Sequence, residues 1–125
     1  MDEAYRGPVS RLRGLRVLVV EDSWHIAATV ESLLEEVGMV IVGAVATASD
    51  AERFANERGP KVAVVDIKLR DGMAYGLIDR LHELGVRVVV VTGFGTFCMP
   101  LVKAVAVLQK PFNADELLAA LLLAV

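Results

Sequence analysis

Polar residues that could carry phosphoryl or metal chemistry follow directly after four short apolar runs of the sequence. They are Glu21 and Asp22 after the first run, Asp66 after the third, Thr92 after the fourth and Lys110 just beyond the fifth. Three carboxylates in one cleft repel one another, and a hard divalent cation with oxygen ligands relieves that repulsion. A carboxylate can also act as a nucleophile and form an aspartyl-phosphate. The set therefore predicts a Mg²⁺ site and an aspartate, Asp66, that accepts a phosphoryl group.

A lysine and a hydroxyl complete this set. Lys110 would place a point charge against a phosphoryl oxygen, and Thr92 would donate a hydrogen bond to one. In phosphoryl transfer the protein contributes mainly positioning and charge neutralisation. The plainer interpretation, that the carboxylates only cap helices, accounts for neither Lys110 nor Thr92.

The apolar runs that position these residues are continuous rather than alternating, which is typical of strands buried on both faces of a parallel sheet. In chain order they are Arg16–Val20, Met39–Ala44, Lys61–Val65, Arg87–Val91 and Ala104–Leu108. Segments with helical spacing alternate with them, near 23–37, 49–57, 74–84, 96–103 and 113–124. The pattern predicts an α/β fold, a (βα)5 doubly wound parallel five-stranded sheet of flavodoxin-like order 2-1-3-4-5. In that order the first and third strands are neighbours, so their acidic ends would meet at one edge.

Local signals predict several helix ends and turns. Ser49, with Glu52 three residues later, has the spacing of a capping box and is expected to begin the second helix. Asn113 is expected to cap the last helix. Asp71 and Gly72 together predict a turn.

Length and composition limit the organisation of the chain. Its 125 residues suit one domain, so we expect a loose N-terminal arm over residues 1–14 and a single domain over 15–125. A net charge of −3 disfavours direct binding to nucleic acid. The longest uncharged stretch, Val88–Val102, has fifteen residues, fewer than the ~20 of a membrane-spanning helix. No membrane insertion is expected, and the single cysteine, Cys98, favours a cytoplasmic location.

Over about Leu15–Leu123 the chain resembles the receiver domains of two-component response regulators. In that family an acidic pair follows strand one, the phosphorylated Asp ends strand three, a Thr or Ser ends strand four and a Lys-Pro pair ends strand five. The matching residues are Glu21, Asp22, Asp66, Thr92 and Lys110-Pro111. The resemblance implies that Asp22, Asp66 and the backbone carbonyl of Lys68 ligate Mg²⁺, and that Glu21 reaches the ion through water. It also implies a cis bond before Pro111.

The chain departs from the family at the residues that report phosphorylation. The aromatic residue that usually lies on strand five, three residues before the Lys, is Val107 here. The segment 91–95, Val-Thr-Gly-Phe-Gly, resembles the FATGUY subgroup of receivers, which also lacks that aromatic. Val107 and Phe94 are therefore the switch candidates. Phe94 could act as a mobile reporter or as a packed loop anchor, and the sequence leaves both open.

The resemblance implies a single-domain response regulator in a Mg²⁺-dependent phosphorelay. A sensor histidine kinase or phosphotransfer protein would phosphorylate Asp66, and a downstream protein would read the change in binding. The protein would not be an enzyme beyond its own phosphorylation and autodephosphorylation. A homodimer is a further expectation, through apolar residues that the core would also use: Phe97, Leu101, Val102, Leu118, Leu121 and Leu122.

Two alternatives from other functional classes remain open. The first is a phosphatase that forms an aspartyl-phosphate. Phosphatases of the haloacid-dehalogenase type carry a second Asp two residues after the nucleophile as acid and base, but the residue here is Lys68. The second is a pseudo-receiver that is not phosphorylated and serves only as an interaction module.

Overall fold

A computed structural model of the chain describes residues 8–93 and 103–125. Five parallel strands form its main sheet: β1 (Arg16–Val20), β2 (Val40–Val45), β3 (Val62–Asp66), β4 (Arg87–Thr92) and β5 (Ala106–Gln109). Their spatial order is β2-β1-β3-β4-β5, as the sequence predicts. The third and fourth strands extend one residue further than expected, so that Asp66 and Thr92 are the last residues of their strands.

Helices cover both faces of the sheet. They are α1 (Trp24–Glu36), α2 (Ala48–Arg58), α3 (Tyr75–Glu83) and α4 (Ala114–Leu123). Alternate residues of β1, β3 and β4 enter two separate hydrophobic clusters, one beneath α1 and α4 and the other beneath α2 and α3. All five residues of β3 are buried, which explains its continuous apolar sequence. No helix in the described part of the chain is long and apolar enough to cross a membrane.

Two of the predicted helix caps have different outcomes. Asn113 caps α4 as expected: its Oδ1 accepts the Glu116 N–H at 2.8 Å, and Glu116 accepts the Asn113 N–H at 3.2 Å. The prediction for Ser49 is wrong, because α2 begins at Ala48 and its cap is Thr47, whose Oγ1 accepts the Asp50 N–H at 3.1 Å. A tertiary contact described below, absent from the local pattern, holds this earlier start.

The segment before β1 is packed where the structure describes it. Residues Ser10–Leu12 form a 3-10 turn, Leu12 is fully buried and Val9 is 5% exposed, both in the cluster beneath α1 and α4. Arg11 Nη2 donates to the backbone oxygen of Val125 at 3.2 Å. The expectation of a loose arm is therefore wrong from Val9 onward, because two apolar side chains gain burial there. The division of the chain at residue 14 stays a prediction.

Several expectations concern residues that the structure does not describe. Phe94 and most of the helix predicted near 96–103 lie outside the described residues. Of the residues expected to support a dimer, Leu118 and Leu121 are 2% and 0% exposed and belong to the core, so they offer no surface to a second copy. Phe97, Leu101 and Val102 again lie outside the description.

Candidate functional site

Four of the predicted site residues lie at the carboxyl edge of the sheet. Glu21 directly follows β1, Asp66 and Thr92 end β3 and β4, and Lys110 directly follows β5. Glu21, Asp66 and Thr92 are 7%, 6% and 4% exposed, whereas Asp22 is exposed. The parallel order of the strands brings these residues together from positions up to 89 residues apart in the chain.

Three carboxylates form a compact acidic cluster at this edge. One oxygen from each of Glu21, Asp22 and Asp66 lies within 4.8 Å of the others. An all-oxygen set with two buried members and one exposed member fits a hard cation that keeps some of its water. The Lys68 N–H donates to Asp66 Oδ1 at 3.4 Å, so the Lys68 peptide lies beside the cluster. Its carbonyl as a metal ligand stays a prediction.

Lys110 bridges two members of the cluster. Its Nζ lies 2.8 Å from Glu21 Oε1 and 3.3 Å from Asp66 Oδ2. Burial alone would lower the pKa of Lys110, but its contacts with Glu21 and Asp66 outweigh burial and raise that pKa. The lysine therefore stays charged at neutral pH and supplies a fixed cation beside Asp66.

Glu21 has a strongly perturbed acidity. Burial, reinforced by the neighbouring Asp66 carboxylate and opposed by Lys110, raises the pKa of Glu21 to about 7. Below about pH 7, Glu21 therefore keeps its proton and is uncharged. This is the behaviour expected of a buried carboxyl that also has a second carboxylate beside it.

Thr92 and the segment around Lys110 join two adjacent strands. The Thr92 carbonyl accepts the Lys110 N–H at 2.8 Å, and Thr92 Oγ1 donates to the Gly93 carbonyl at 3.3 Å. The Lys110–Pro111 bond is cis, as the resemblance implied. The hydroxyl and the ammonium thus come from neighbouring strands, at the edge where the acidic cluster lies.

The loop after β3 contributes two residues, Arg70 and Asp71, whose tertiary contacts the sequence did not predict. Asp71 does lie in a turn, between the short antiparallel strands Lys68–Leu69 and Gly72–Met73. Its carboxylate also accepts hydrogen bonds from the N–H groups of Ala48 at 2.9 Å and Ser49 at 3.3 Å. These bonds, chiefly the one from Ala48, lower the pKa of Asp71. It therefore caps α2 from 23 residues away.

Arg70, the neighbour of Asp71, reaches the backbone beside the acidic cluster. Its Nη2 donates to the Asp22 carbonyl at 3.4 Å, and its N–H donates to the Ala46 carbonyl at 3.3 Å. The loop that follows Asp66 is thus tied to the loops after β1 and β2. No local spacing marks such contacts, so only the three-dimensional arrangement identifies them.

An apolar groove adjoins the cluster on the side of α1. Its volume is about 500 Å³, and its lining residues are His25, Ile26, Thr29, Val30, Lys110, Pro111 and Phe112. At its margin Trp24 is 72% exposed and stacks on His25, with 3.7 Å between ring centroids. The site therefore has a charged centre and an apolar flank that is open to solvent.

Comparison with known proteins agrees with this geometry. Residues 17–122 match the family model of the response regulator receiver domain. The chain is 31% identical over 112 residues to the photosynthetic apparatus regulatory protein RegA of Cereibacter sphaeroides, covering 85% of this chain and 60% of RegA. It is 33% identical over 122 residues to the transcriptional regulatory protein PdtaR of Mycobacterium tuberculosis, covering 88% and 56%. The chain thus spans about half to three-fifths of the length of these relatives.

Solved structures give the same result. The signal receiver domain of a LuxO repressor protein from Vibrio parahaemolyticus superposes with a TM-score of 0.80 at 28% identity, covering 89% of each chain. The response regulator PhyR from Brucella abortus superposes with a TM-score of 0.79 at 25% identity, covering 97% of this chain and 51% of PhyR. With its strand order, its acidic edge and these matches, the chain belongs to the response regulator receiver domain family of two-component signalling proteins.

Proposed function

We propose that this receiver accepts a phosphoryl group on Asp66 from a histidine kinase or phosphotransfer protein. The observation that carries the proposal is the position of Asp66 at the end of the central strand, 3.3 Å from the Lys110 ammonium and within the carboxylate cluster. The family consists of signalling regulators rather than catalysts, so the product would be a changed surface and not a released metabolite. The reaction would take place in the cytoplasm.

The proposed step is a transfer between two nucleophiles. An Asp66 oxygen forms a bond to phosphorus while the bond from phosphorus to the donor's imidazole nitrogen breaks, and the electron pair of that bond returns to the nitrogen. Lys110 neutralises charge on the phosphoryl oxygens, and the Thr92 hydroxyl donates to one of them. Glu21, Asp22 and Asp66 would hold Mg²⁺, which supplies further charge neutralisation.

The groove beside Lys110 supports a protein as the phosphoryl donor. Its Ile26, Val30 and Phe112 offer apolar contact area next to the charged centre, and Trp24 extends that area into solvent. Interfaces commonly place apolar and aromatic anchors beside a polar centre. The proposed phosphoryl donor would therefore contact the face formed by α1 and the segment after β5.

The test is phosphorylation by acetyl phosphate in Mg²⁺, read by intact mass and by the fluorescence of Trp24, the single tryptophan. We expect the wild type to gain one phosphoryl group and Asp66→Asn to gain none. Asp79→Asn is the matched control, because Asp79 is an exposed acid that pairs with Lys103 away from the cluster. An unmodified wild type, or modification that persists in Asp66→Asn, would overturn the proposal.

The two alternatives predict different results in the same system. A phosphatase would release phosphate from a small ester over many turnovers, a task for which Lys68 supplies no second carboxylate. A pseudo-receiver would be indifferent to Mg²⁺ and would bind its partner equally well as Asp66→Ala. The complete set of carboxylates, hydroxyl and lysine favours the phosphorylated receiver over both.

A further inference from the structure

We propose that the amino-terminal edge of the sheet, opposite Asp66, carries a pocket that binds a small organic phosphate. A cavity of about 370 Å³ lies beneath the end of α3 and the starts of β4 and β5. Its lining residues are His82, Gly85, Val86, Arg87, Lys103, Ala104 and Val105. Pockets for small ligands typically measure ~300–1,000 Å³, so a mononucleotide-sized molecule is the appropriate scale.

The lining is basic in a chain whose net charge is −3. Arg87 and Lys103 are cations at neutral pH, and His82 adds a polar ring that can donate or accept. Arg87 has no ion-pair partner among residues 8–93 and 103–125, although its guanidinium could bind a carboxylate or phosphate in a bidentate manner. An anion would therefore meet a charge that no acidic side chain in residues 8–93 and 103–125 neutralises.

The sheet aligns further basic residues with Arg87. The Lys61 N–H donates to the Arg16 carbonyl at 2.8 Å, and the Arg87 N–H donates to the Lys61 carbonyl at 3.0 Å. Three basic residues thus lie side by side, since Arg16 and Arg87 begin β1 and β4 and Lys61 directly precedes β3. The Arg16 guanidinium is occupied by the carbonyl of Arg58, whereas Lys61 has no ion-pair partner among the described residues. Lys61 and Arg87 together raise the positive potential at this edge.

Two features that could oppose an anion are partly neutralised. The first is the Asp79 carboxylate, which pairs with Lys103 at 3.1 Å. The Lys103 ammonium has three N–H donors, so two remain available to a ligand. The carboxyl end of α3 is the negative end of its dipole. Its last carbonyls already accept N–H groups: that of Leu81 from Val86 at 2.9 Å, and that of His82 from Gly85 at 3.0 Å.

The mixture of cations and apolar side chains identifies the class of ligand. Arg87 supplies a cation that no described acid neutralises, and Lys103, which already pairs with Asp79, adds ammonium N–H donors for the oxygens of a phosphate monoester. Val86, Ala104 and Val105 offer apolar contact to the organic body that carries it. Inorganic phosphate would contact only the basic side chains, whereas an organic ester would contact the apolar ones as well, so the ester should bind more tightly.

The test is a titration of the full chain with adenosine monophosphate, inorganic phosphate and adenosine, without Mg²⁺ and at low salt, followed by amide chemical shifts. We expect saturable shifts at Gly85–Val88 and Ala104–Val105 with the two phosphate ligands. Adenosine monophosphate should bind more tightly than inorganic phosphate, and adenosine should cause no shifts. Arg87→Gln should weaken binding about tenfold, the loss of one charge-assisted contact. Arg53→Gln is the charge-matched control, since Arg53 lies on α2 and pairs with Asp50.

The proposal fails if no probe shifts these amides, if adenosine binds as well as its monophosphate, or if Arg53→Gln weakens binding as much as Arg87→Gln. It also fails if the shifts appear only around Lys110. The pocket does not depend on phosphorylation, so Asp66→Asn should bind the monophosphate with unchanged affinity. This separates failure of the pocket from failure of the proposed phosphoryl acceptor.

Discussion

The Lys110 ammonium lies closer to Glu21, at 2.8 Å, than to Asp66, at 3.3 Å. Its shorter contact is therefore with a candidate metal ligand rather than with the proposed phosphoryl acceptor. A cation bound to the carboxylates would compete with Lys110 for Glu21. Lys110 would then be available to the phosphoryl group.

Removal of Lys110 should both destabilise the metal-free protein and abolish stable phosphorylation. In Lys110→Met the buried carboxylates of Glu21 and Asp66 lose their cation. Breaking a fully buried ion pair costs ~3–5 kcal/mol of stability. The loss of stability should be smaller here, because the Lys110 side chain retains 22% exposure. Urea unfolding in chelator should show this loss, and Mg²⁺ should stabilise the variant more than the wild type. Equal stabilisation of both by Mg²⁺ would contradict the bridging role.

The stability of the metal-free protein should fall as pH rises from about 4.5 to 7. The folded-state pKa of Glu21 is about 7 against its ordinary 4.5, so the folded state binds more protons across this window. The contribution of Glu21 to stability is then fully present below its ordinary pKa and is lost as pH rises toward 7, by up to ~3 kcal/mol at about 1.36 kcal/mol per unit. Urea unfolding at pH 5 and 7.5 measures it, and Glu21→Gln should remove this part of the slope. An unchanged slope in Glu21→Gln would show that Glu21 is not its source.

Loss of Asp71 should loosen the start of α2. Asp71→Ala leaves the N–H groups of Ala48 and Ser49 without their acceptor, so their hydrogen exchange should accelerate and the melting temperature should fall. The lowered pKa of Asp71 means that its contribution is present above pH 3.8 and is lost as pH falls. Glu57→Gln, an exposed acid at the other end of the same helix, should leave exchange at Ala48 and Ser49 unchanged.

The packed segment before β1 should contribute measurably to folding. Leu12 is fully buried, and Leu→Ala changes in cores cost ~2–5 kcal/mol. Leu12→Ala should therefore reduce the free energy of unfolding by an amount in that range, measured in urea. Arg11→Ala, which removes only a surface hydrogen bond to Val125, should cost much less. Similar small losses in both variants would mean that the segment adds little.

The sequence predicted those parts of the fold that depend on patterns along one strand or helix. The continuous apolar runs gave the five strands because β1, β3 and β4 are buried on both faces, and the strand order then placed Glu21 and Asp66 together. The start of α2 was predicted incorrectly because Asp71, a residue from another loop, satisfies its first N–H groups. The burial of Val9 and Leu12 was not predicted, because two apolar residues in a mostly polar segment show no periodicity.

The complete burial of β3 has a consequence for how a signal could leave the site. The amides of a fully buried central strand exchange their hydrogens only when the protein unfolds extensively. Short loops and helix ends open locally, at a small fraction of the free energy of global unfolding. Asp66 therefore stands at the boundary between the part of the molecule that opens least and the short loop over residues 67–74. That loop is tied through Arg70 to Asp22 and through Asp71 to α2. A charge added to Asp66 would thus redistribute local openings in that loop and at the start of α2 while leaving the strand order intact.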